Sequence, residues 1–226
     1  MRNAYFQQKI DFSDVSKGVS FGTSGHRGSP LKGTFNEAHL LAIAQAVVDY
    51  RQAQGISGPL FLGRDTHAVS LPAWETVVSV LVANAVDVRV AKDAEVTATP
   101  LVSHAILGFN ASQPKAQADG LIITPSHNPP EDGGIKYNPP NGGPADVDAT
   151  LWIEQRANKY LLSNNTEVKR MEFAEALHHT QTYDYVGQYI HSLDRVIDLS
   201  AIRRVGLKLG VDPMGGTALP VWTQLA

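Results

Sequence analysis

Apolar residues along the first half of the chain recur with helical spacing in some stretches and form short continuous runs in others. In residues 36–54, five of them fall at i, i+3, i+4, i+7 and i+8, which predicts a helix with one buried face. They are Leu40, Ile43, Ala44, Val47 and Val48. Gly55 is a natural end for this helix, and the apolar run Leu60–Leu62 then predicts a short buried strand.

The same alternation continues toward the middle of the chain. It predicts a helix over 70–84, a strand over 86–90, a helix capped by Thr99 and Pro100 and running to 109, a polar surface loop over 110–118, and a strand over 121–124. Strands that alternate with helices indicate βαβ units. We therefore expect an α/β fold with a mostly parallel sheet.

The two ends of the chain are less regular. Residues 1–20 are polar and without period, so we expect a loosely held N-terminal arm. Helical patterns cover 147–162 and 184–197, a strand is predicted at Leu207–Asp212, and a helix begins near 217. A lone strand and a partial helix cannot bury their own apolar faces. Residues 201–226 therefore either pack on the first domain or are the truncated start of a second domain, and we favour the second alternative.

Composition narrows the function classes. The 226 residues carry a formal net charge of -3 and no cysteine. This excludes disulfides, cysteine-ligated metals and a thiol nucleophile, and it gives no basic footprint for a nucleic acid. Residues 1–9 lack the apolar segment of a signal peptide, and no apolar run approaches the ~18 residues of a membrane span. We expect a cytoplasmic protein with no membrane or nucleic-acid partner.

The densest candidate chemistry is the run Thr124–Lys136, the serine motif, which follows the predicted strand at 121–124. The ends of such strands are where open α/β sheets bind ligands. Ser126 is either a nucleophile or a phosphate carrier, and the Gly-x-Ser-x-Gly elbow of hydrolases is absent. Gly133 and Gly134 let backbone N–H groups approach an anion. Lys136 supplies charge or a proton, although a simple N-cap role for Ser126 stays open.

Two other loops carry polar groups. Phe21–Gly28, the arginine loop, contains Arg27, whose planar fork suits a phosphate, yet by itself this loop is also typical of a surface turn. In Gly63–His67 the arginine Arg64 pairs with Asp65 or braces the serine motif, and a structural role is favoured. No ligand pattern for a metal can be assembled from the chain.

Taken together, Thr124–Lys136 and Phe21–Gly28 closely resemble the α-D-phosphohexomutase family, and Tyr137–Asp146 resembles its glucose-specific bacterial branch. The resemblance covers the chain from about residue 19 onward. It implies a three-layer domain with a mixed, mostly parallel sheet flanked by helices, the first of four domains in such enzymes. It places this phosphoserine domain at 21–200, with the start of the second at 201–226.

The resemblance also implies a reaction and a set of roles. Phosphorylated Ser126 gives its phosphoryl group to glucose 1-phosphate, and the glucose 1,6-bisphosphate that forms returns the other phosphate to leave glucose 6-phosphate. Such an enzyme is a phosphoglucomutase, an isomerase acting by intramolecular phosphotransfer in glucose metabolism. Lys136 matches the general acid/base, Arg27 the assisting arginine, and His127 the residue that positions the serine. The implied phosphate and substrate contacts are Thr23, Ser24, His26, Arg27, Asn128 and Lys136.

The resemblance further implies Mg²⁺ bound through the phosphoserine at Ser126, with its other ligands in a second-domain loop absent from this chain. It suggests a homodimer for the complete enzyme. We expect the 226 residues alone to be inactive. Two alternatives stay open, a phosphomannomutase or dual-specificity mutase and a non-catalytic module that binds sugar phosphates.

Overall fold

A computed structural model describes residues 1–22 and 25–226. Its described part contains one mixed sheet of six strands in the order β1-β5-β4-β2-β3-β6. The strands are β1 (His26–Gly28), β2 (Leu60–Arg64), β3 (Val88–Val90), β4 (Asp119–Ile123), β5 (Gly133–Asn138) and β6 (Gln181–Thr182). The four strands β4, β2, β3 and β6 run parallel, and β5 and β1 add antiparallel pairs at one side. This confirms the predicted mixed, mostly parallel α/β sheet.

Helices cover the sheet and connect its strands. They are α1 (Arg2–Gln7), α2 (Glu37–Gln54), α3 (Ser70–Ala83), α4 (Thr99–Ser112), α5 (Val147–Leu162), α6 (Phe173–His178), α7 (Tyr185–Ser192), α8 (Leu199–Val205) and α9 (Leu219–Leu225). Short 3₁₀ turns lie at Val15–Lys17, Pro30–Lys32, Lys92–Ala94 and Leu193–Arg195. Among the described residues, no helix has the length and apolar character needed to cross a membrane.

Strand β2 shows how the two faces of the sheet are filled. Leu60 and Leu62 lie in the larger apolar cluster, which contains residues of α2, α3 and α5, whereas Phe61 lies in the smaller one with residues of α4 and α7. Side chains alternate between the faces of a strand, so this run of three apolar residues packs on both sides. Helices on both faces give the three-layer arrangement.

A buried ion pair joins α2 to the centre of the sheet. Arg51 of α2 donates to the carboxylate of Asp119, the first residue of β4, and to the carbonyl oxygen of Gly58 at 2.6 Å. The hydroxyl of Tyr137 on β5 donates to the other Asp119 oxygen at 2.8 Å. Burial lowers the pKa of Arg51 to about 10. This network fixes the two strands that lead into and out of the serine motif.

The N-terminal segment differs from expectation. Tyr5 is fully buried, and its hydroxyl donates to Thr76 Oγ1 on α3 at 3.0 Å. This ring anchors α1 to α3, so the beginning of the N-terminal arm is not loosely held. The boundaries at 21, 200 and 201 stay predictions.

Several local predictions were wrong. Residues 207–212 form no strand, and the predicted start of a strand at Val86 lies before β3. Helix α4 runs three residues past 109, and its N-cap is Ala98 without a side-chain bond rather than Thr99. The predicted surface loop at 110–118 contains Asn110, whose side chain bonds to the backbone of Ala118. A polar residue in that stretch is thus used to close the connection to β4.

Candidate active site

Ser126 and Lys136 come together because β4 and β5 form a hairpin. Residues 124–132, the serine loop, connect the two strands, and Lys136 pairs with Ile122 across them. Lys136, the last residue of the serine motif, therefore lies on strand β5. Its Nζ donates to Ser126 Oγ at 2.6 Å. A Cβ at Gly134 would lie 2.7 Å from Pro125 Cα, so the close return of the chain requires glycine there.

The backbone of Ser126 is strained. Its φ of 72° lies in the left-handed region, which costs a residue with a Cβ roughly 1–2 kcal/mol. The Ser126 N–H donates to Thr124 Oγ1 at 2.9 Å, and the side chain is exposed. Strain of this kind clusters at functional sites. The loop thus presents one hydroxyl to solvent, beside a lysine.

Arg27 adds a second positive charge beside this pair. It lies on β1, where it is opposite Gly134 of β5, and its side chain is exposed. Partial burial, followed by the charge of Arg27, lowers the pKa of Lys136, while Asp65 acts in the opposite direction. A lysine whose pKa is lowered exchanges its proton more readily near neutral pH.

The other predicted residues are placed less uniformly. His127 is exposed, directly after Ser126. Asn128 is half-buried, and its Nδ2 donates to Asp132 Oδ2 at 3.0 Å, so its amide helps to close the serine loop. Thr23 and Ser24 lie outside the described residues.

His26 is buried beside Arg27, and its role as a phosphate contact stays a prediction. The ring is buried, with Nε2 2.9 Å from the Thr34 carbonyl oxygen and Nδ1 3.2 Å from the Ser20 carbonyl oxygen. Burial lowers its pKa to about 4. Because both nitrogens contact the backbone, the neutral ring supports the turn next to Arg27.

Sequence reasoning missed the residues that brace the serine loop. His67 Nε2 lies 3.0 Å from the carbonyl oxygen of Asn128, and its Nδ1 lies 2.8 Å from Asp65 Oδ2. Arg64, for which a structural role was favoured over bracing the serine motif, donates to the carbonyl oxygens of Ala94 and, at 3.3 Å, Asp65. The available signal was topological, since Asp65 and His67 follow β2, and β2 neighbours β4 at the same edge of the sheet.

The described part of the chain does not by itself make a metal site. Within residues 1–22 and 25–226, no group of three or more histidine or acidic side chains converges in a way that could hold an ion. Mg²⁺ takes oxygen ligands in near-octahedral geometry. A phosphate on Ser126 would supply one such ligand, and the residues described here do not complete the set.

The fold and this edge of the sheet define an α/β/α domain that presents a serine, a lysine and an arginine together. The family model described as phosphoglucomutase/phosphomannomutase, alpha/beta/alpha domain I, matches residues 18–163. The chain belongs to this family.

Individual relatives agree with this assignment. The chain is 49% identical over 225 residues to a phosphoglucomutase of Komagataeibacter xylinus, covering 99% of this chain and 40% of that protein. It is 28% identical over 200 residues to a phosphoglucomutase/phosphomannomutase of Thermococcus kodakarensis, covering 88% of this chain and 40% of the relative. The chain thus spans about 40% of the length of these curated relatives.

A solved structure shares the fold. The open form of parafusin, a phosphoglucomutase from Paramecium, superposes with a TM-score of 0.74 at 23% identity, over 92% of this chain and 40% of that one. At this identity the likeness shows the fold alone.

Proposed function

We propose that the chain carries the phosphoserine centre of a phosphoglucomutase, with Ser126 as the residue that holds the transferred phosphoryl group. One observation carries the proposal, the 2.6 Å contact from Lys136 Nζ to the exposed Oγ of a strained serine. The 49% identity to a protein named phosphoglucomutase supports glucose phosphate as the substrate.

The proposed reaction uses Lys136 as acid and then as base. The 6-hydroxyl oxygen of glucose 1-phosphate bonds to the phosphorus on Ser126, the bond from phosphorus to Oγ breaks, and Oγ takes a proton from Lys136. The neutral lysine then accepts the proton released by the attacking hydroxyl. After the bisphosphate reorients, Ser126 Oγ attacks the 1-phosphate and gives its proton through Lys136 to the departing sugar oxygen. Glucose 6-phosphate remains.

Apart from proton transfer, phosphoryl transfer depends mainly on the positioning of the reacting groups and on positive charge near the phosphoryl oxygens. Arg27 and Lys136 offer positive charge to the phosphoryl oxygens from adjacent strands. We assign His127 and Asn128 to holding the serine and its phosphate, and we keep Thr23 and Ser24 as phosphate contacts predicted from the sequence. Mg²⁺ would use the Ser126 phosphate as one ligand. The homodimer and the cytoplasmic location stay predictions.

The phosphoryl carrier is tested by mass spectrometry of the intact protein expressed from its complete gene. After incubation with glucose 1,6-bisphosphate we expect a gain of one phosphoryl group, which is lost in Ser126→Ala and kept in Ser112→Ala, a change at an exposed serine of α4. A phosphoryl group that persists in Ser126→Ala would exclude Ser126 as the carrier. No gain in the unchanged protein favours the non-catalytic sugar-phosphate-binding module.

The role of Lys136 is tested by Lys136→Ala in the same protein. A general acid/base contributes about 10²–10⁴-fold to rate. We expect kcat to fall by a factor in this range, with a smaller rise in KM. An unchanged kcat would remove Lys136 from the mechanism.

Sugar specificity has a second candidate, a phosphomannomutase or dual-specificity enzyme. The name of the Thermococcus kodakarensis relative, which includes phosphomannomutase, favours it. We expect glucose 1-phosphate to be turned over in preference to mannose 1-phosphate when the two compete. Equal turnover would establish dual specificity.

A further inference from the structure

Asp65 and His67 connect the end of β2 to the serine loop. Asp65 Oδ2 lies 2.8 Å from His67 Nδ1, and His67 Nε2 lies 3.0 Å from the carbonyl oxygen of Asn128, two residues after Ser126. We call these two contacts the Asp65–His67 strap. Sixty-one residues of sequence separate His67 from Asn128, so the strap is a tertiary contact and not a local turn.

The Asp65 end of the strap is rigid. The carboxylate accepts from Ser70 Oγ at 2.5 Å and from the His67 N–H at 2.9 Å, and the residue is buried. The Asp65 N–H donates to the Ile123 carbonyl oxygen, at the end of β4, at 3.0 Å. Asp65 is thereby fixed to the strand from which the serine loop departs, and its side chain can orient the imidazole.

At its other end, the strap contacts the serine loop, whose backbone is strained at Ser126. Ser126 has a φ of 72°, and such strain persists only where the surrounding structure over-determines it. The far end of the loop is held by Ser29 Oγ, which donates to the Glu131 carbonyl oxygen at 3.3 Å. The contact from His67 to Asn128 fixes the part of the loop nearer to Ser126. Both of its acceptors are oxygens, so both contacts are hydrogen bonds when each ring nitrogen carries a proton.

We propose that His67, oriented by Asp65, is a positioning residue that keeps the serine loop in the strained conformation from which Ser126 exchanges its phosphoryl group. The catalytic part of this inference rests on the proposed function, whereas the contact from His67 to the loop backbone does not depend on it. His67 touches the loop backbone, so it acts through Ser126 and not on the sugar phosphate directly.

A matched pair of substitutions isolates the contact to the loop. In His67→Gln the amide nitrogen stands near the position of Nε2 and can still donate to Asn128, whereas in His67→Asn the shorter amide stands near Nδ1 and reaches only Asp65. Amide hydrogen exchange of residues 126–133 is measured by mass spectrometry on the 226-residue chain. His178→Gln, at an exposed histidine of α6, is the control.

We expect His67→Asn to raise exchange in residues 126–133 about tenfold, the factor for about 1.4 kcal/mol, with α2 unchanged and with His67→Gln close to the original chain. Unchanged exchange in the loop of His67→Asn would overturn the proposal, and so would an equal rise throughout the chain in both variants.

Kinetics of the protein from the complete gene separate this inference from the proposed function. Misplacing a reacting group by about 1 Å can cost ~10²-fold in rate. We expect kcat of His67→Asn to fall between tenfold and a hundredfold with KM little changed, and partial recovery in His67→Gln. If Ser126 carries no phosphoryl group, the proposed function fails while the exchange result still stands. If Ser126 is loaded and kcat of His67→Asn is normal, the positioning role fails alone.

Discussion

Two stretches of this chain look alike in sequence and differ in structure. Leu60-Phe61-Leu62 and Leu207-Lys208-Leu209 both place leucines two residues apart after a glycine-containing turn, and a strand is predicted for both. The first is β2, with Leu60 and Leu62 at 0% and 1% exposure. The second is irregular, with Leu207 and Leu209 at 64% and 68%.

The difference lies in the neighbours and not in the leucines. Strand β2 pairs with β3 on one side and β4 on the other, and apolar clusters cover both of its faces. In the part of the chain that the structure describes, residues 207–209 pair with no strand. An isolated strand is at best marginally stable. Hydrophobic spacing therefore indicates where a strand can form, and pairing decides whether it does.

The largest expected effect comes from breaking the anchor of the central strand. Asp119→Ala leaves the Arg51 guanidinium buried without its partner and removes the acceptor of Tyr137. Removing one side of a buried ion pair costs about 3–5 kcal/mol. We expect the free energy of urea unfolding to fall by that amount. Arg204→Ala, which removes an exposed partner of Asp198, is the control. A loss below about 1 kcal/mol would show that β4 does not depend on the pair.

A second pair of substitutions tests the comparison directly. Leu62→Ala empties a fully packed site and is expected to cost about 2–5 kcal/mol. Leu209→Ala changes an exposed side chain and is expected to stay within about 0.5 kcal/mol. Urea unfolding monitored by circular dichroism compares the two. Equal losses would mean that residues 207–209 are packed as well as β2.

Acid should lower the free energy of unfolding through two buried histidines of the packed core. Burial lowers the pKa of His26 to about 4 and that of His39 to about 3, and the rings stack at 5.3 Å. In the unfolded chain these histidines have a pKa near 6.5 and bind protons that they do not bind in the native state. The free energy of unfolding therefore falls as the pH drops below about 6.5.

Between pH 7 and pH 5 this loss amounts to about 2 kcal/mol for each ring. Urea unfolding at the two pH values measures it. His178→Gln should keep the full difference, whereas His26→Gln should reduce it by about half. Equal stability of the original chain at both pH values would contradict the buried neutral rings.

The parts that local pattern decides could be predicted from sequence. Helices α2 and α5 begin and end within a residue of expectation because caps and apolar period are local features, as with Asn36 and Gly55 around α2. The motifs single out Ser126, Lys136 and Arg27, and the structure places these three residues near one another. The β-hairpin that places Lys136 on β5, and the contact from His67 to the serine loop, depend on which strands become neighbours. The anchoring of α1 could not be predicted, because a single buried ring, Tyr5, holds this helix without any apolar period in the sequence.

The smallest effect contrasts two strained residues. Ser126 and Met214 both have positive φ, 72° and 48°, but Ser126 follows the buried β4, whereas Met214 is 88% exposed in the irregular stretch between α8 and α9. Glycine adopts this region without the cost of a Cβ, so Ser126→Gly is expected to raise the free energy of unfolding by about 1 kcal/mol.

Met214→Gly should change the free energy of unfolding by only a few tenths of a kcal/mol, because strain is felt in global unfolding only where the segment unfolds together with the core. Urea unfolding of both variants, with Ser126→Ala to separate loss of the hydroxyl from relief of strain, makes the measurement. A gain in Ser126→Gly that Ser126→Ala lacks would mean that the sheet holds Ser126 in a costly conformation at the expense of stability. Equal small changes in both glycine variants would mean that the serine loop is as loosely coupled to the core as residues 207–214.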